Sequence, residues 1–223
     1  MALNIKSVNT GVIRQGNAFV ALALKIKEQK NKESLFFFPA LVLRDLLIAL
    51  ESRLAALHQL QGDELQKYEK AREKAGKKML DNVPALLEEE LRHADANFRV
   101  DGLELSKNGK DELTVTLKLH RGESIELTIN ELQIDLLVKA IIHSINNAGM
   151  KELALRISSL LDFLPLYDAD CQEKGSLEYD FYDQAQWKHD LFSHYLALLY
   201  RFTDKDGKEC FSGSIVKTRT PSG

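Results

Sequence analysis

One short segment, residues 187–195, collects side chains of the kinds that take part in catalysis or metal binding. The residues concerned are Trp187, His189, Asp190, Ser193, His194 and Tyr195. A histidine near a carboxylate and a hydroxyl can move protons or hold a metal ion. The two histidines, however, are five positions apart, which places them on opposite sides of a strand and about 140° apart around a helix. We therefore interpret the segment as an entry into a strand and keep an enzyme site here as a third hypothesis.

Longer catalytic motifs do not occur in the sequence. It has no phosphate-binding glycine loop, no dinucleotide fingerprint, no nucleophile elbow and no zinc-binding His-Glu-x-x-His. Asp168, Asp170 and Glu173 lie in residues 166–175, which we interpret as a solvated acidic loop because they lack the ligand order of a calcium loop. Cys171 and Cys210 are too few for a disulfide framework, and the sequence does not say whether they are close in space. We expect no catalytic residue, no cofactor and no metal.

A second group of residues has the chemistry of a binding surface. If the alternating apolar residues of the strands face the helices, the opposite faces carry aromatic and basic side chains. These candidate surface residues are Phe19, Lys25, Lys27, Phe36 and Phe38, followed later in the chain by Lys118 and His120. Such side chains can stack bases and hold phosphates, and the aromatic ones can equally form core or a protein interface.

Residues 1–60 predict the elements that position this surface. Residues 3–14 and 18–27 have the pattern of two strands, and in the second the apolar residues alternate from Val20 to Ile26. A short apolar strand, residues 34–38, follows. After Pro39, leucines recur at helical spacing as far as Leu57. The predicted order is strand, strand, strand, helix.

Residues 98–165 predict the same order again, followed by an extra helix. An Asn-Gly turn and an Arg-Gly turn separate alternating strands, and Asn130 with Gln133 predicts a capped helix start. The extra helix runs over residues 150–164 and ends at Pro165. Residues 61–97 form a charged, mostly helical connector between the two units.

The units also align residue by residue, which suggests an internal duplication. Leu22–Ile26 matches 115–119, and Glu33-Ser34 matches Glu123-Ser124. A partial third unit, residues 176–223, repeats the strand pattern at 195–202 and ends in a polar tail from Ser212. It lacks the helix that would cover its apolar side, so we expect that side to pack on the earlier units or on a partner. Chance similarity of amphipathic hairpins is the alternative.

The exits from the last strands into the helices, residues 34–47 and 124–137, resemble those of the Pur-alpha, Whirly and transcriptional-coactivator group of single-stranded nucleic-acid-binding proteins. The resemblance is one of pattern and covers roughly half of the chain. It implies two repeats that pack their helices across curved sheets, with aromatic and basic groups on the sheets. The second unit departs from it, because its open face mixes threonines with Lys118, His120 and Glu126.

Composition and charge limit the class of protein. The chain has 223 residues, of which 44% are hydrophobic and 28% charged, so disordered and collagen-like classes are excluded. The net charge of −3 lacks the global basic excess of a protein that coats duplex nucleic acid. Residues 1–60 nevertheless hold eight basic and four acidic side chains, so any anion-binding surface must be local. We find no signal peptide and no apolar run long enough for a membrane span, and expect a cytoplasmic protein.

The sequence thus predicts an α+β protein of repeated hairpin-plus-helix units. We expect it to bind rather than to catalyse, through protein–protein contacts or self-association. Single-stranded nucleic-acid binding by the basic N-terminal unit is the alternative, and no membrane is expected as a partner.

Overall fold

The structure, a computed structural model, describes residues 2–171 and 177–219. The fold is mixed α+β, as predicted. The chain divides into two compact units, Met1–Ile157 and Ser158–Gly223, which we describe separately. Within the described residues, no helix has both the length and the apolar character to cross a membrane.

The N-terminal unit begins with the predicted strand, strand, strand, helix order. Strand β1 spans Ala2–Gln15, β2 spans Ala18–Glu28 and β3 spans Glu33–Phe38. Helix α1, Ala40–Leu57, starts directly after Pro39. Proline suits this position because its fixed φ fits a helix start and no N–H is lost from the helical hydrogen bonds.

The connector contains the helices α2, Gly62–Leu80, and α3, Glu88–Arg92, and then a 3₁₀ turn, Ala96–Phe98. Met79 is the buried residue of α2, whose other residues are exposed or half-buried. After α2 the chain is fixed to β1 by side-chain hydrogen bonds: the Ser7 hydroxyl donates to the Met79 carbonyl at 2.5 Å, and the Asn9 amide donates to the Pro84 carbonyl at 2.8 Å. The connector therefore covers part of the sheet face that the sequence analysis predicted to be open to solvent.

The second half repeats the element order. Strands β4, Val100–Asn108, β5, Glu112–Leu119, and β6, Ser124–Asn130, lead into α4, Glu131–Asn147, and α5, Lys151–Leu160. The predicted helix cap is confirmed: the Asn130 side chain accepts a hydrogen bond from the Leu132 amide, and Gln133 accepts one from the Asn130 amide.

The six strands form one sheet in the order β3-β2-β1-β6-β5-β4. At its centre β1 pairs in parallel with β6, through residues 2–4 and 126–128. The two edges also meet at one parallel bridge, Phe37 with Arg99, just before β4. At one junction β6 pairs with β1, and at the other β3 meets the residue before β4. The two edge strands therefore approach each other, as in a partly closed barrel. The halves share one core, because α1 packs on β4 and α4 packs on β1. Duplication remains our hypothesis for the origin of this arrangement.

The C-terminal unit contains β7, Phe163–Cys171, β8, Leu177–Phe181, α6, Gln186–Leu191, β9, His194–Thr203, and β10, Glu209–Thr218. The strands form an antiparallel sheet in the order β8-β7-β10-β9. Three predictions were wrong here: the helix of residues 150–164 ends at Leu160, residues 166–171 are strand rather than loop, and residues 212–218 are paired strand rather than tail.

Candidate functional site

Phe36 and Phe38 are core residues and not part of an open surface. They are 1% and 0% exposed. The correction follows from the register, which pairs Leu24 with Phe36 and Leu22 with Phe38. Directly paired residues of antiparallel strands share a face, so both phenylalanines point with the apolar side chains of β2. Phe37, which pairs with Ala23, is the aromatic residue on the Lys25 side, and it too is buried.

Lys25 lies on that opposite face but is covered by the connector and is only 8% exposed. Its ammonium group donates hydrogen bonds to both Glu90 oxygens, at 2.7 and 3.0 Å, and lies 3.4 Å from Glu33. Burial lowers the pKa of Lys25, but the hydrogen bonds and charges of Glu90 and Glu33 outweigh it and raise that pKa above 10.5. The Leu87 amide and Lys25 hold the pKa of Glu90 below 4.5. The charge of Lys25 is therefore neutralised by carboxylates of the same chain and does not contribute to a basic surface.

Lys118 and His120 are exposed, but each faces a carboxylate on the neighbouring strand. The Lys118 ammonium lies 2.6 Å from Glu104, and His120 Nδ1 lies 2.7 Å from Asp101. Arg99 and His120 lower the pKa of Asp101 by their hydrogen bonds, so this carboxylate stays ionised at neutral pH. These pairs reduce the positive potential that a phosphate backbone would need.

The two remaining predicted residues lie apart from these pairs. Phe19 is half-buried and lines a pocket with Asn17 and residues 149–153 and 156, on α5 and just before it. Lys27 is half-buried and pairs with Ser7 in the sheet. The seven predicted residues therefore do not form one continuous surface.

The residues of the 187–195 segment have separate partners. His189, near the end of α6, accepts a hydrogen bond from Lys217 through its backbone oxygen at 3.0 Å. Asp190 accepts one from Gln186, and the Ser193 hydroxyl contacts His194 Nδ1 at 3.0 Å. This geometry does not join a nucleophile, a base and an orienting carboxylate. Among the residues that the structure describes, no group of three His, Cys, Asp or Glu side chains could hold a metal ion.

One face of the C-terminal sheet exposes several large apolar side chains. The register forms two rows across it, Leu199 with Gly213, Ala169 and Tyr179, and Ala197 with Ile215, Tyr167 and Phe181, and Phe211 extends the same face. We call these nine residues the C-terminal sheet face. Its large side chains are well exposed, at 77% for Leu199, 68% for Tyr179 and 60% for Phe181.

The C-terminal sheet face is uneven in shape as well as apolar. Small residues at Ala169, Ala197 and Gly213 form the floor of a shallow trough of about 330 Å³, beside Leu199 and Ile215. The Tyr167 and Phe181 rings pack against each other with centroids 5.1 Å apart. The charged pair at the edge of this face, Arg201 with Glu209, neutralises itself.

On the opposite face of the same sheet, Asp168 and Asp170 of β7 are hydrogen-bonded within the sheet, which explains why residues 166–171 form a strand and not a loop. Asp168 accepts hydrogen bonds from Ser214 and from the Tyr182 hydroxyl, and Asp170 accepts one from Ser212 at 2.6 Å. The hydrogen bond and charge of Asp168 raise the pKa of Tyr182. The β9 part of that face carries Tyr200 and Phe202, which are 48% and 51% exposed. Cys210 is a free thiol, whereas Glu173 and the side chain of Cys171 lie outside the described residues.

The sequence analysis did not identify the individual residues of the C-terminal sheet face. It predicted only that the third unit, which lacks a following helix, has an apolar side that must pack against something else. The strand assignment of residues 163–171 was missing, and without it Tyr167 and Ala169 had no place on any face.

Comparison with known proteins shows the family. The family model described as YjeJ-like matches residues 1–223. The chain belongs to the YjeJ-like family. A YjeJ relative from Escherichia coli (strain K12), described as "Uncharacterized protein YjeJ", is 63% identical over 219 residues, which cover 98% of this chain and 76% of the relative. No solved structure matches significantly. The YjeJ matches lend no support to the resemblance to Pur-alpha and Whirly proteins.

Proposed function

We propose that this YjeJ-like protein is a non-catalytic binding protein that associates with a second copy of itself through the C-terminal sheet face. The supporting observation is the exposure of large apolar side chains on one side of a four-stranded sheet, with Leu199 77% exposed. Contiguous apolar patches on protein surfaces mark interaction sites, because water leaves such surface favourably when it is covered.

Charge and shape favour a second copy as the occupant. Because Arg201 and Glu209 compensate each other, two copies of this face meet without like-charge repulsion. The small residues Ala197 and Gly213 lie beside the protruding Leu199, so a two-fold arrangement can place Leu199 of each copy into the trough of the other. Two sheets packed in this way lie about 10 Å apart.

Single-stranded nucleic acid is the weaker candidate. Its support rested on exposed aromatic and basic groups in the first unit, but Phe36 and Phe38 are buried and Lys25 is paired with Glu90. A catalytic site at 187–195 has less support still, since the hydrogen bonds of His189, Asp190 and Ser193 go to different partners.

Self-association is tested by sedimentation velocity at several concentrations. We expect the wild-type protein to shift from monomer to dimer as concentration rises. Leu199→Lys should raise the dissociation constant at least about tenfold, because each dimer loses two buried leucines, worth about 1.5–3 kcal/mol each, and gains two charges.

The matched control is Leu41→Lys on α1, because Leu41 is also highly exposed, at 69%, and lies in the N-terminal unit. It should leave the dissociation constant unchanged. A wild-type protein that stays monomeric at all concentrations would refute the proposal, and so would equal effects of the two substitutions.

A further inference from the structure

A cavity of about 760 Å³ opens in the N-terminal unit where β3 and β6 begin. Its walls are mostly apolar. The apolar lining residues come from four parts of the chain: Leu3, Leu35, Phe36, Phe37, Phe98 and Ile125. Its volume falls in the range of small-molecule sites, about 300–1,000 Å³, and such sites combine apolar walls with a few polar groups.

Those polar groups lie at the rim. The carboxylates there are Glu33, Glu90, Asp95 and Glu123, and the lining cations are Lys32 and Arg121. Lys25 adds a third positive charge through its pairs with Glu33 and Glu90. The rim therefore has one negative charge in excess, and a ligand with one positive charge would balance it.

Glu33 is the carboxylate best placed to receive that charge. Lys25 hydrogen-bonds both oxygens of Glu90, whereas it makes a single longer contact, of 3.4 Å, to one oxygen of Glu33. An ionised carboxylate can accept about four hydrogen bonds, so Glu33 retains acceptor capacity. Its side chain is 39% exposed and lines the cavity together with Phe36 and Phe37.

We propose that the cavity binds a small organic cation, an aromatic or aliphatic body that carries one amine. The body packs against the half-buried side chains of Leu35, Phe98 and Ile125, and the ammonium group forms a charge-assisted hydrogen bond with Glu33. The cavity lies wholly within the N-terminal unit, so ligand binding there does not depend on self-association through the C-terminal sheet face.

The test compares three ligands of equal shape by isothermal titration calorimetry on the full chain at neutral pH and low salt. They are phenylbutylamine, phenylbutanol and phenylbutyrate. We expect saturable binding of the amine with a dissociation constant below about 1 mM, and at least about tenfold weaker binding of the carboxylate. Absence of amine binding, or carboxylate binding as tight as that of the amine, would overturn the proposal.

Two substitutions locate the site. Glu33→Gln should weaken amine binding about tenfold and leave phenylbutanol binding unchanged, while the control Glu104→Gln, on β4 and outside the cavity lining, should change neither. Ile125→Trp, at a half-buried wall position, should narrow the cavity and weaken binding of both ligands without loss of the folded thermal transition. Amine binding that neither Glu33→Gln nor Ile125→Trp weakens would contradict the assignment.

Discussion

At the scale of single residues, Lys25 shows how a charged side chain is held inside a sheet. It stands in β2 between Leu24 and Ile26, which are fully buried. Its partner Glu90 belongs to α3, 65 residues later in the chain. Their hydrogen bonds hold the connector against the sheet, so Lys25 acts as a fixed point for a segment that has few other buried groups.

Removal of either partner should therefore destabilise the protein. We expect Lys25→Met to lower the free energy of unfolding by about 1–3 kcal/mol, because it leaves Glu90 and Glu33 close together without a counterion. Glu90→Gln should cost less. A double-mutant cycle measured by urea unfolding should give a coupling energy above about 0.5 kcal/mol, and additive effects would show that the pair contributes nothing.

The stabilisation from this pair should depend on pH in a defined window. The lowered pKa of Glu90 gives stability that is present above 4.5 and is lost as the pH falls below it. The raised pKa of Lys25 gives stability that is present below 10.5 and is lost as the pH rises above it. The difference in unfolding free energy between wild type and Lys25→Met should thus be flat near pH 7 and shrink toward pH 3. A difference that grows on acidification would contradict this assignment.

At the scale of elements, α1 and α4 start by different means. Helix α4 begins with a reciprocal cap in which Asn130 and Gln133 satisfy backbone amides, whereas α1 begins after Pro39 without a side-chain cap. Gln133 also donates to the Ile5 carbonyl at 2.9 Å, so the α4 cap is connected to β1. The start of α4 is therefore fixed both to its own first turn and to the other half of the sheet.

The α4 cap gives a prediction for stability. Asn130→Ala should lower the free energy of unfolding by about 1 kcal/mol, because the Leu132 amide loses its acceptor. Asn130→Asp keeps an acceptor and a favourable charge at the helix start, and it should be near neutral. Thermal unfolding followed by circular dichroism measures both, and a neutral Asn130→Ala would show that the cap is not needed.

The elements that the sequence predicted correctly are those with a strong local signal. Alternation in β2 and β5 and helical spacing in α1 and α4 were sufficient. Strand β7 was missed because Asp168 and Asp170 rarely occur in strands and Pro165 resembles a helix end. Hydrogen bonds from Ser212, Ser214 and Tyr182 to the two carboxylates stabilise this strand, and these donors come from distant parts of the chain.

At the scale of the whole molecule, charge is distributed unevenly. Residues 1–60 carry a net charge of +4, and residues 61–223 carry −7. Part of the basic excess is neutralised across this division, since Lys25 pairs with Glu90 and Arg53 pairs with Glu131 at 2.6 Å. The net charge of +4 in residues 1–60 therefore does not produce an equally basic surface on the folded protein.

This distribution predicts the response to nucleic acid. Fluorescent single-stranded DNA should show no saturable binding at moderate salt, and the charge-reversal variant Lys27→Glu, which leaves the buried Lys25–Glu90 pair intact, should behave in the same way. Dimerisation through the uncharged C-terminal sheet face should change little with salt. Saturable binding that falls steeply as salt rises would instead support the nucleic-acid alternative.

The sequence by itself determined the local structure: the order of strands and helices in residues 1–147, the turns, and the cap at Asn130, because these depend on neighbours within a few positions. The tertiary structure decided which faces are covered. Register placed Phe36 and Phe38 in the core, and Glu90 crossed from the connector to bury Lys25. It also left Leu199 and Tyr179 exposed together. Periodicity shows that a strand has two faces, whereas only long-range pairing determines what lies against each of them.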